Sequence, residues 1–456
     1  MVHRAPAGST DKIPVGKVEK WLVPVKRYLQ IEATSGIVLF ACTVIALVVA
    51  NSAWDHAFEK FWHTPVAFAF GKFRIEGDLG HLVVNDILMT IFFFVVGLEV
   101  KREVVGGELR DPRKALLPII GAVGGVVTPA LVYFLLQWGQ EGERGWAIPM
   151  ATDIAFVVGI LALFGERIPF GLKIFLLTLA IVDDILAVLV IATVFTEKIV
   201  WGYLVASAVG FGLCAFLNRI GVRAVAIYIF VGVGVWVGFY KAGVHPTIAG
   251  VLLGLMTPAS AWIGRRTFLE VMHDFWDRIR ADEDEEDVGH GHGGKESLPV
   301  SLEQLQFLAR ESHSPLHRLE MGLHPWVAFV IMPIFALANA GVEMDLEALG
   351  SGVSVSVAAG LAIGKPLGIF LFCWLAVILR LTRLPEGVDW KVFLGGACLG
   401  GVGFTMALFL NALAFPTADF PALEGAGKIG TLVGSGISAV LGGGILWWFS
   451  RPRALE

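Results

Sequence analysis

The segment LKIFLLTLAIVDDILAVLVIATVFT, residues 172–196, constrains this chain more than any other stretch. A helical bilayer crossing needs about 20 apolar residues, and this segment is long enough. Two adjacent carboxylates, Asp183 and Asp184, stand in its middle with apolar residues on both sides. A charge at that depth costs roughly 2.5–3.5 kcal/mol on insertion scales, and adjacent like charges repel each other as well. Such a pair is kept in hydrocarbon only with partners or a task, so the rest of the chain has to supply them.

The composition agrees with a membrane protein: 56% of the 456 residues are hydrophobic and 16% are charged, against about a quarter charged in soluble domains. The net charge of -5 lies mostly in loops and points to no particular partner, nucleic acid included. Cys42, Cys214, Cys373 and Cys398 sit in apolar runs without ligand spacing and read as small core residues, not as a disulfide framework. The first 30 residues are polar, with no short apolar core before a small-residue cleavage site. The first crossing is therefore expected to serve as the targeting signal.

Apolar runs predict an all-α polytopic fold of twelve transmembrane helices within residues 35–449. They lie near 35–54, 83–105, 115–136, 146–164, 172–196, 200–220, 224–240, 245–260, 326–342, 354–379, 391–415 and 426–449. Residues 1–34 and 450–456 are tails, and 261–325 is a long loop. With both termini cytoplasmic, the cytoplasmic segments hold 27 Lys and Arg residues and the opposite loops 7. That bias predicts an N-in, C-in orientation.

Two crossings read as broken. The fourth carries Pro149, Thr152 and Asp153 at mid-depth, and the eleventh carries Gly395, Gly396, Gly400, Gly401 and Gly403. Each is the middle member of a three-helix group, 3–5 and 10–12, and the two groups enter the membrane oppositely. Paired interruptions of this kind predict an inverted 3+3 repeat with a site at the breaks, although glycines also permit close helix packing. Between crossings one and two, PVAFAFGKFRIEG (65–77) alternates and turns at Gly71-Lys72, which predicts a small periplasmic β-hairpin. An isolated hairpin is marginal in water, so this one needs a partner such as a second copy of itself. The acids and His290/His292 of 281–297 read as a solvated cytoplasmic linker.

The remaining mid-helix ionisable groups are Asp153 and Lys365. Three carboxylates and one ammonium at similar depth predict a shared polar cluster, functional by default inside a membrane. Adjacent helical residues project about 100° apart. One of Asp183 and Asp184 can therefore face a neighbouring helix and Lys365, and the other a water-filled cavity. A cavity carboxylate with oxygens of Thr152 and Asp153 nearby suits either a small cation or a proton. Mutually exclusive occupancy by the two is the minimum machinery of exchange.

At these residues the chain resembles the NhaA-type sodium/proton antiporters. The resemblance is carried by ATDIAF (151–156), LAIVDDI (179–185), GKPLG (364–368) and GVGFTM (401–406). FFFVVGLEVKRE (92–103), GVHPTIAG (243–250) and LHPWVAFVIMPIFALANAGV (323–342) agree, in consistent order from about residue 30 to 450. It implies two crossed unwound helices, a cytoplasmic funnel, and electrogenic, pH-activated exchange of Na⁺ or Li⁺ for more than one H⁺. It implies no cofactor, an inner-membrane location, and a homodimer through residues 66–76. Carried over by motif, Asp184 is the principal cation carboxylate and Asp183 the partner of Lys365. Thr152 and Asp153 sit at the helix break, where Asp153 offsets the positive half-helix ends. Glu99, Arg102, Glu103, Glu320 and His324 match a cytoplasmic pH-response cluster. Met321 stands where the family often has histidine, and Pro246 follows His245, so the resemblance leaves the pH set-point open.

Two other classes place aspartates or broken helices in membranes. An intramembrane aspartyl protease would resemble Tyr-Asp and Gly-x-Gly-Asp, whereas the contexts here are Thr152-Asp153 and Val182-Asp183-Asp184. A bile-acid-type sodium symporter would not require adjacent aspartates with a facing lysine.

Overall fold

The computed structural model describes residues 32–450, apart from 71–72, 197–198, 223–224, 345, 418 and most of 262–310. The linker 281–297, residues 1–31 and residues 451–456 lie outside the described residues.

The chain begins with α1 (Glu32–Ala50) and α2 (Asp55–Trp62). A hairpin of β1 (Pro65–Phe70) and β2 (Phe73–Asp78) follows. Next come α3 (Leu79–Gly106), α4 (Pro112–Leu136), a 3-10 segment (Glu141–Met150), α5 (Ile154–Leu163) and α6 (Phe170–Val194). Then run α7 (Trp201–Arg219), α8 (Val225–Ala242), α9 (Thr247–Met256), α10 (Pro315–Asn339) and α11 (Gly352–Ile378). The chain closes with α12 (Trp390–Gly400), α13 (Phe404–Ala414) and α14 (Pro421–Phe449). Polar side chains cap the helices in the loops. Asp111 accepts from the Arg113 N–H ahead of α4, and Asp389 from the Val392 N–H ahead of α12.

Among the described residues, eight helices are long and apolar enough to cross a bilayer, or eleven spans if each of three bent pairs counts once. The protein is thus a multi-pass membrane protein, and Phe230, Trp448 and Val440 belong to its broad exposed apolar surface. The expected crossing at 245–260 is the ten-residue α9. At 1.5 Å per residue it reaches only about half the hydrocarbon thickness.

Both expected breaks are present. The 3-10 segment and α5 meet at 46° across Ala151–Asp153, and α12 and α13 meet at 41° across Gly401–Gly403. The first half of the fourth crossing is 3-10 and not α-helical. Pro149, which lacks an N–H, stands within it. The two breaks touch: the Asp153 N–H donates to the Val402 carbonyl at 2.7 Å.

Packing around the breaks relies on small residues. A Cβ on Gly250 or Gly254 of α9 would run into the Thr90 or Phe94 carbonyl of α3, and one on Gly97 into Val251. Gly250 and Gly254 form a Gly-x-x-x-Gly stripe that brings two backbones together. Gly124 of α4 and Gly368 of α11 meet in the same way. The four cysteines are free, three of them buried.

The hairpin pairs Pro65 with Asp78 through Phe70 with Phe73, and among the described residues it has no third strand. It rests on the end of α8, where Lys241 Nζ donates to the Arg74 carbonyl at 3.0 Å.

Gly254→Ala should lower the thermal midpoint in detergent, by a cost of about 1–3 kcal/mol for overpacking. Gly444→Ala, with no neighbour within 4 Å of an added Cβ, should leave it unchanged or raise it, which controls for helix propensity. Equal midpoints for the two variants would remove the backbone-contact explanation of α3–α9 packing.

Candidate functional site

Four helix ends converge at mid-depth, and each meets a polar side chain. Asp153 lies in extended backbone just before α5, where its Oδ1 accepts from the Phe156 N–H at 3.1 Å. Its Oδ2 accepts from the Thr405 N–H at 3.0 Å and from the Thr405 hydroxyl. One carboxylate thus serves the N-terminal ends of both α5 and α13, where unpaired N–H groups and the helix dipoles favour negative charge. The opposite ends receive donors. Lys365 Nζ donates to the Met150 carbonyl at the end of the 3-10 segment, and the Thr152 hydroxyl donates to the Gly400 carbonyl at the end of α12 at 3.0 Å.

Lys365 is completely buried and lies 2.9 Å from Asp183 Oδ2. The helix presents it after a π-turn over Gly360–Gly364, and Pro366 follows without an N–H to give. Such turns concentrate at functional positions. The single hydrogen of the Thr152 hydroxyl is shared between the Gly400 carbonyl and Asp183 Oδ2, which lies at 2.7 Å. The expected proximity of Thr152 to the cavity-facing carboxylate is thus met differently: its hydroxyl turns to Asp183 and leaves Asp184 alone.

Asp184, on the next residue of α6, is 2% exposed and takes no hydrogen bond or ion pair from the described residues. It opens on a cleft of about 330 Å³ that Thr152 and Asp153 also line. Further out the same cleft is lined by Glu99, Arg102, Glu103, Glu320 and His324, so all five residues of the expected response cluster border one space. Arg102 pairs with Glu320 and, at 3.2 Å, with Glu103, which ties α3 to α10. Six carboxylates line this cleft, Glu108 being the sixth, against Arg102 and His324. The arrangement sets Asp184 in a cleft lined mostly by acids. Behind it stands a second carboxylate already neutralised by a lysine.

Sequence reasoning overlooked two features. Thr405 lies inside a quoted motif, yet nothing local marked it as the partner of Asp153. Asp86 is a buried carboxylate inside the expected second crossing, with His81 Nδ1 at 3.5 Å and His245 Nε2 at 3.7 Å. Its place in an apolar run was a signal of the kind that flagged Asp183.

The fold and centre define a multi-pass membrane protein with a charged cluster where two broken helices meet. Residues 26–446 match the family Na+/H+ antiporter 1. The chain is 49% identical over 436 residues to "Na(+)/H(+) antiporter NhaA" of Rhodopirellula baltica, covering 96% of each. It is 46% identical to "Na(+)/H(+) antiporter NhaA 2" of Sorangium cellulosum, over 96% of this chain and 92% of the relative. It is 42% identical to "Na(+)/H(+) antiporter NhaA" of Rhizobium meliloti, over 98% and 99%. The chain belongs to the Na+/H+ antiporter 1 family.

Thr405→Val should lower the thermal midpoint, because removing one donor to the buried Asp153 carboxylate costs about 1–3 kcal/mol. Thr405→Ser, which keeps the hydroxyl, should restore most of the loss. If Val and Ser behave alike, methyl packing and not the hydrogen bond holds α13 to the break.

Proposed function

We propose that the chain is a secondary transporter, not an enzyme, that exchanges Na⁺ or Li⁺ for H⁺ by alternating access. The observation that carries the reading is the contrast between adjacent carboxylates. Asp183 is held by Lys365 and Thr152, whereas Asp184 opens on the acidic cleft without a hydrogen-bond or ion-pair partner among the described residues. Asp184 is the site where cation and proton compete, with hard oxygen ligands suited to a small cation. Asp153 and Thr152 hold the break in place beside it. Names of relatives over nearly the whole length support the same exchange.

The finer features belong to the same proposal. Exchange is electrogenic, with more than one H⁺ per cation, and rises from acid to alkaline pH through Glu99, Arg102, Glu103, Glu320 and His324. The Arg102–Glu320 pair, which joins α3 to α10, supports a response shared between these two helices. The eleven candidate spans with the short α9 support twelve crossings, and the touching breaks support the inverted repeat of crossings 3–5 and 10–12. The Lys and Arg bias supports cytoplasmic termini in a prokaryotic inner membrane. The hairpin has no third strand among the described residues, and the hydrogen bonds from α8 reach only its β2 side, which supports a homodimer through 66–76.

Asp184→Asn should abolish both calorimetric Na⁺ binding and exchange in proteoliposomes, since it removes the charge and the titratable proton together. Lys365→Ala should lower thermal stability and alter pH dependence or voltage sensitivity, each charge moved being worth about 2.3 kcal/mol per 100 mV. Cation binding at Asp184 should partly survive in that variant. Normal binding in Asp184→Asn with loss in Lys365→Ala would reverse the assigned roles.

Deleting residues 66–76 should shift the detergent-solubilised protein toward monomer, read by light scattering, while some exchange activity remains. An unchanged dimer would place the interface elsewhere.

A further inference from the structure

A second, larger cleft opens beside the acidic one and has the opposite charge. It has a volume of about 1330 Å³ and lies where the starts of α4 and α6 face the end of α11 and the loop after it. Arg113, Lys114, Arg380 and Arg383 line it against Glu108 and Glu386. Lys114 Nζ is 3.5 Å from Glu108, which leaves three arginines against Glu386 and a net excess of two positive charges. Glu108, Ile174 and Thr178 border both clefts and form the wall between them. A net positive lining of this kind disfavours cations, in contrast to the acidic cleft beside it.

We propose that this cleft binds an anionic phospholipid, with its phosphate on Arg113, Arg380 and Arg383. Basic pockets between transmembrane helices suit phosphate-bearing headgroups, and a guanidinium matches phosphate oxygens with a pair of parallel donors. Most of the remaining lining is apolar, Leu117, Pro118, Phe170, Phe175 and Val377 among it, with Thr178 and Thr382 as its polar members. At the rim Phe170 is 74% and Leu381 58% exposed, which offers acyl chains an apolar route out of the cleft. A free phosphate ion would use the arginines and leave this apolar lining uncovered.

The backbone at Arg380 adds a separate observation. α11 ends in a loop closed by the Leu381 N–H donating to the Ala376 carbonyl at 3.0 Å. Arg380, inside that loop, has φ 58°, the only positive φ at a non-glycine among the described residues. Glycine is the usual occupant of such a helix end because a Cβ is disfavoured there. A side chain with a use at the cleft accounts for arginine in its place.

The test uses full-length protein stripped of lipid in detergent, at fixed pH and without Na⁺. Native mass spectrometry and thermal midpoints are read with phosphatidylglycerol, phosphatidylcholine or inorganic phosphate. Phosphatidylglycerol should bind and raise the midpoint, and the other two should not. Each basic side chain near the headgroup contributes about a factor of five. The combined Arg113→Gln, Arg380→Gly, Arg383→Gln variant should therefore bind phosphatidylglycerol about a hundredfold more weakly. Arg380→Gly alone should bind about fivefold more weakly, with a lipid-free midpoint that is unchanged or higher because glycine relaxes the backbone. This single variant decides the matter if the combined one does not fold. Equal stabilisation by phosphatidylcholine or by inorganic phosphate overturns the proposal, as does undiminished phosphatidylglycerol binding in the variants. Cation exchange is not read in this experiment, so its outcome is independent of the transport reading.

Discussion

Everything at mid-depth depends on how four interrupted helix ends are satisfied without water. An intact helix pairs its own backbone groups, but breaking two crossings exposes N–H groups at α5 and α13 and carbonyls at the 3-10 segment and α12. The protein answers with one acid, one base and one hydroxyl. Asp153 takes donors from both N-terminal ends, Lys365 donates to Met150, and Thr152 donates to Gly400. Each polar side chain therefore holds a helix end as well as a neighbour. Because Lys365 also reaches Asp183, the first break is tied to α6 through α11.

This coupling accounts for the division of labour between Asp183 and Asp184. The 100° step between adjacent residues turns one toward the breaks and the other toward the cleft. On the transport reading proposed above, the counter-charge of Lys365 and the exchangeable site are placed on separate carboxylates, Asp183 and Asp184. Acidic lining of this kind raises the local concentration of cations, and Glu108, Ile174 and Thr178 stand between it and the basic cleft.

The glycines serve two ends that look alike in sequence. Those at 401 and 403 flank the interruption between α12 and α13, whereas Gly97, Gly250 and Gly254 simply let two backbones touch. Both uses give apolar helices rich in glycine. In both uses a carbonyl can stand against the missing Cβ, that of Leu361 at Gly401 and that of Thr90 at Gly250, so only the backbone conformation distinguishes them.

The sequence by itself determined the polytopic character, the broken fourth and eleventh crossings, the hairpin and the four ionisable residues of the centre. Each is announced by local composition: hydrocarbon rejects charge, proline lacks a donor, and alternation with Gly71-Lys72 suits a tight hairpin. Tertiary structure decided which groups meet. That Thr152 turns to Asp183, that Asp153 reaches Thr405 some 250 residues on, and that Asp86 gathers His81 and His245 all depend on helix rotation and crossing geometry. The same holds for the short α9, whose glycines let α3 lie directly against it. A pattern of residue types reports how each segment meets its solvent. It does not report the azimuth at which a helix presents a side chain, because that angle is set by the packing of neighbours remote in sequence.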